Sequence, residues 1–107
     1  MFEQIEELLI APTSGAAAPS LANLEETLTD GYAKALALEA ERWRLERRLG
    51  EVARTLDGPD VSSFADELAA LAKRLTSADG ELSRLRALLR SLHERARSMR
   101  LAAQTAQ

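Results

Sequence analysis

Residues 61–103, VSSFADELAALAKRLTSADGELSRLRALLRSLHERARSMRLAA, decide the fold. Read every seven residues, one column is Val61, Leu68, Leu75, Leu82, Leu89, Ala96 and Ala103. The column three residues on is Phe64, Leu71, Ala78, Leu85, Leu92, Met99 and Ala106. Both are apolar throughout, which is the seam of a long coiled-coil helix. A seam this regular needs a partner. Upstream, Leu21, Leu28, Ala35, Arg42, Leu49 and Leu56 interleave with Leu24, Gly31, Leu38, Leu45 and Val52 and supply one. The reading is an all-α fold: a long antiparallel helical hairpin with helix A over 21–57, a turn at 57–60 and helix B over 61–103.

The breakers agree. Gly58 suits the left-handed position after a helix, Pro59 cannot continue one, and Asp60, Ser62 or Ser63 can cap the next. Helix A starts near Ser20 or Asn23, and Asn23 with Glu26 has capping-box spacing. Asp30-Gly31 and Asp79-Gly80 resemble turns, but the heptad runs through both without a skipped residue, so both helices stay whole.

Pairing the columns antiparallel about residue 60 makes facing residue numbers sum to about 120. Leu56 then meets Phe64, Val52 meets Leu68, Leu49 meets Leu71, Leu45 meets Leu75, and Leu28 meets Leu92. Large faces small where the seam departs from leucine: Arg42 opposite Ala78, Gly31 opposite Leu89, Ala35 opposite Leu85. Flanking charges fall in the same register. Arg48 is expected near Glu67, Glu41 near Arg74, Lys34 near Glu81, Glu25 near Arg100, Glu39 near Arg86, and Tyr32 near His93. One juxtaposition, Glu46 with Asp79, is repulsive. Arg42 is expected to snorkel toward Glu39, Glu41 or Glu46.

Two helices share one seam and bury little surface for their length, so association is expected. Tyr32, Leu36 and Trp43 fall on one flank of helix A. Ala65, Ala69 and Ala72, continued by Thr76 and Ser83, make a small-residue stripe on the matching flank of helix B. The expectation is self-association there into a homodimeric four-helix bundle.

The hairpin domain spans 21–107. Before it, residues 1–10 form a short amphipathic helix with Phe2, Ile5, Leu8 and Leu9 on one face, too short to stand alone. Residues 11–20, APTSGAAAPS, read as a flexible linker. That helix docks on this chain's own bundle, on a second copy, or on another protein.

Chemistry is thinly supported. The chain has no cysteine and one histidine, His93, so neither a thiolate site nor a zinc set is available. No catalytic motif, phosphate loop or cofactor site is legible, and an enzyme, a metal and a cofactor are not expected. No apolar run approaches the roughly 20 residues of a membrane span, and no basic segment precedes an apolar core, so the expectation is a cytoplasmic protein with no membrane partner. Twelve Arg against two Lys suggests a GC-rich bacterial genome. The net charge of −3 argues against nucleic acid. Glu39, Glu41, Glu46 and Glu51 thread the cluster of Arg42, Arg44, Arg47 and Arg48 around Trp43 and weaken its field. The first thirty residues hold six acids and no base, whereas six Arg and one acid lie from Arg84 onward, a split that an antiparallel fold is expected to neutralise internally.

The Trp-x-Gly turn of the small hairpins secreted by type VII systems is absent. The tip, with Asp57 and Asp60 backed by Asp66 and Glu67, resembles that of transcription factors that insert a coiled-coil hairpin into the RNA polymerase secondary channel. That resemblance implies a regulator whose acidic tip acts near the catalytic magnesium. The function most consistent with the architecture is a non-enzymatic adaptor, assembly factor or small scaffold. The channel regulator and a helical export chaperone are the alternatives.

Overall fold

A computed structural model describes residues 1–55 and 61–105. Three helices follow in order: α1 (Phe2–Ile10), α2 (Leu21–Arg54) and α3 (Val61–Thr105). Among the described residues there is no strand. The tip, with Asp57, Gly58, Pro59 and Asp60, lies outside the described residues, as does Leu56. The described part of α2 ends at Arg54, three residues short of the expected end, and α3 runs two residues past its expected one. Of the two candidate caps for α2, Ser20 is the one used. Its Oγ accepts from the Asn23 amide at 3.1 Å, and its carbonyl accepts from Leu24 at 3.2 Å. Both Asp-Gly pairs are helical.

The chain divides into two compact units, Met1–Ala35 with Arg84–Gln107, and Leu36–Ser83. In each, α2 packs antiparallel on α3, as a helical hairpin requires. In the first unit Glu25 meets Arg100 at 3.0 Å and Gly31 lies against Leu89. In the second Arg48 meets Glu67 at 2.8 Å and Glu41 meets Arg74 at 3.5 Å. All three of these ion pairs follow the sequence register.

The heptad columns are the core. From Phe64 to Met99 every seam residue of α3 is buried or half-buried, and the same holds for α2 from Leu21 to Val52. The second unit centres on Leu45, Val52, Leu71 and Ala78, with Leu49, Phe64, Leu68 and Leu75 partly covered around them. The first buries Leu24, Leu28, Ala35, Leu85, Leu89, Leu92 and Ala96, and also Ile5 from α1. In this unit α1 adds a third helix to the seam, and its Ile5 is fully buried along with Leu24, Leu85 and Leu92.

Arg42 corrects the repulsion expected between Glu46 and Asp79. Its Nε lies 3.2 Å from Glu46 and 3.1 Å from Asp79, so one guanidinium bridges both carboxylates. Exposed pairs of this kind stabilise by under about 1 kcal/mol each, so the bridge serves register more than stability.

The helical glycines differ in what surrounds them. A Cβ on Gly31 would stand 2.3 Å from Leu89 Cδ2, and Leu89 is itself only 2% exposed. A Cβ on Gly80 would meet nothing within 4 Å. Alanine improves helix propensity by about 1 kcal/mol at either position. Forcing a methyl into a closed seam costs about 1–3 kcal/mol, so the clash outweighs the gain at Gly31 only. Urea melts followed by circular dichroism should show Gly31→Ala destabilised and Gly80→Ala stabilised by up to about 1 kcal/mol. Equal signs for the two would disprove the close approach at Gly31.

Candidate interaction surfaces

The first surface is the one covered by α1. Nine residues cannot hold a helix alone, so α1 exists because it docks. Ile5 is fully buried, while Phe2, Leu8 and Leu9 are half-buried. Two arginines of α3 clamp it. Arg84 pairs with Glu6 at 2.5 Å and stands over the Phe2 ring at 4.6 Å. Arg95 donates through Nη1 to the Leu9 carbonyl and through Nη2 to the Ala11 carbonyl. Those carbonyls belong to the C-terminal end of α1, where unsatisfied acceptors and the negative dipole end gather. The last turn of α1 has no basic residue of its own, so Arg95 supplies the missing cation from another helix. Its Nε is buried and unpaired. The linker turns at Gly15, whose φ of +92° is the left-handed region that favours glycine. Beside α1, a polar cleft of about 270 Å³ is lined by Gln4, Glu7, Leu8, Asn23, Glu26, Thr27 and Asp30.

The second surface belongs to the Leu36–Ser83 unit. Leu36 is 66% exposed and Trp43 is 58% exposed, with the Arg47 guanidinium 4.9 Å from the indole ring. Ala65, Ala69 and Ala72 are exposed. The Thr76 hydroxyl is satisfied by the Ala72 carbonyl at 3.0 Å, so it places no unspent donor there. Tyr32, one turn before Leu36 on α2, is 47% exposed in the other unit. The arginines around Trp43 are occupied locally. Arg44 pairs with Glu41 at 3.8 Å, and Arg48 with Glu51 at 3.6 Å as well as with Glu67.

Among the described residues no group of His, Cys, Asp or Glu could hold a metal ion, and His93 is exposed. No described helix is long and apolar enough to cross a membrane. The acidic-tip residues Asp57 and Asp60 lie outside the described residues.

Internal neutralisation of the acidic and basic ends is partial. Arg84, Arg95 and Arg100 are engaged as described. Arg90 and Arg97 are exposed and have no ion pair among the described residues. The roles of Arg84 and Arg95 escape a heptad reading, which treats both as flank residues. Their signal is the stripe Arg84, Leu88, Ser91, Arg95 at helical spacing beside the seam, which marks a face suited to another helix.

No family model, curated protein or solved structure matches the chain.

Proposed function

We propose that this chain is a non-enzymatic protein–protein interaction module, an adaptor, assembly factor or small scaffold, that pairs with a second copy of itself. The observation that carries the reading is the exposure of Trp43 and Leu36 in the Leu36–Ser83 unit, which also exposes Ala65, Ala69 and Ala72. Large apolar side chains over half exposed, in a chain with one Trp, are the anchors that interfaces favour. The alanines let a second helix pair approach closely. Light scattering on Trp43→Ala with Leu36→Ala should show the mass fall from dimer to monomer while helicity holds. A mass identical to that of the native chain ends the reading.

A second role falls to α1 as a detachable docking helix for a protein partner, through Phe2, Ile5, Leu8 and Leu9. Its support is that only Ile5 of the four is fully buried, and that α1 is also held by charged contacts, from Arg84 to Glu6 and the Phe2 ring and from Arg95 to the Leu9 and Ala11 carbonyls. A partner that captures this face must displace it from its own groove.

A further inference from the structure

Unit Met1–Ala35 with Arg84–Gln107 keeps two sets of unpaired charge apart. On α3, Arg90 and Arg97 are exposed, without an ion pair among the described residues, and His93 lies between them on the same face. At the helical rise Arg90 and Arg97 stand about 10 Å apart along the axis. They lie about 140° round α3 from Arg84 and Arg95, the residues that turn toward α1. Glu94, the one acid of α3 beyond Arg84, is also exposed and has no ion pair among the described residues; it lies between Arg90 and Arg97 as His93 does, so the face carries two arginines against one acid. On α1 and α2, Glu7, Glu26 and Asp30 line the polar cleft with Gln4 and Asn23, and none has an ion pair among the described residues. The two sets cannot meet within one copy, because α3 presents its stripe on the side away from α1.

We propose that the Arg90–His93–Arg97 face of α3 docks the Glu7, Glu26 and Asp30 face of a second copy. The complementarity is between one face and a different face, so the contact is head-to-tail. It can grow past a dimer, and salt weakens it strongly because both faces are exposed. Nucleic acid is the poorer occupant. The stripe presents few cations, a chain of net charge −3 opposes a polyanion, and strong backbone binding uses many phosphate contacts. The proposal does not rest on the Trp43 face, and the test is run in a chain carrying Trp43→Ala and Leu36→Ala to keep the two apart.

The experiment is sedimentation of the full chain at about 0.02 M and about 0.5 M salt. The average mass should rise with concentration at low salt and fall at high salt. Arg90→Glu with Arg97→Glu, and separately Glu26→Lys with Asp30→Lys, should each weaken low-salt association at least about tenfold. The two variants mixed in equal amounts should associate again, since one keeps the acidic face and the other the basic one. Should a charge reversal disturb folding by circular dichroism, Arg90→Gln with Arg97→Gln should weaken association in the same direction by less. The proposal is overturned if the chain stays monomeric at low salt, if either variant associates as tightly as its parent, or if the mixture fails to recover. Duplex DNA bound by the parent chain and lost in Arg90→Glu with Arg97→Glu would overturn it too, by handing the stripe to nucleic acid.

Discussion

Leu92→Ala is expected to destabilise the Met1–Ala35 and Arg84–Gln107 unit by about 2–5 kcal/mol, the range for emptying a closed leucine site. Leu92 has no exposed surface, and Leu24 and Leu85 in the same unit have none either. A site closed on every side cannot collapse easily, so the cavity term adds to the lost transfer energy. Leu68 offers the contrast. It belongs to the same kind of heptad column but is only half-buried, in a unit built from two helices. Water already reaches it, and the void left by Leu68→Ala can fill. Its cost should be no more than about half as large. Urea melts of the two variants give the comparison. Equal costs would mean that the Leu92 site is no more closed in solution than that of Leu68.

The second large effect concerns α1. Ile5→Asp puts a carboxylate in a fully buried apolar position, and undocking is the cheapest escape. Docking should weaken at least about a hundredfold. Because nine residues are too few for an independent helix, undocked α1 also loses its helicity. Hydrogen exchange should therefore show residues 2–10 unprotected while the Leu36–Ser83 unit keeps its protection. Proteases should cut the 11–20 linker faster. Arg95→Ala should move the same observables in the same direction by less, since it deletes the charged donor to the Leu9 and Ala11 carbonyls, a loss of about 1.5–3 kcal/mol. Unchanged protection at residues 2–10 in both variants would refute the docked arrangement.

The seam was legible in the sequence for a physical reason. A heptad column is periodic, and burial follows period: Leu82, Leu89, Ala96 and their partners are buried where the spacing placed them. The antiparallel register was legible because charges and residue sizes had to match at once, as Arg48 with Glu67 and Gly31 with Leu89 do. What depends on a third element was not. Arg95 looks like any flank arginine until α1 presents its terminal carbonyls. Arg42 looks set to pair along its own helix until α3 brings Asp79 within reach, after which a repulsive pair becomes a bridged one. The faces offered to partners are the least legible, since exposure alone leaves no periodic trace. Spacing placed Tyr32, Leu36 and Trp43 on one flank, but nothing in it says what covers them.

The clamp on α1 has a consequence for biosynthesis. Glu6 and Arg84 are 78 positions apart and Leu9 and Arg95 are 86 apart, whereas Arg48 and Glu67 are separated by 19. A nascent chain therefore closes its middle early, while α1, made ahead of everything it rests on, waits bare until the last turns of α3 leave the ribosome. Throughout that interval its apolar residues are open to chaperones and to neighbouring nascent chains on the same message.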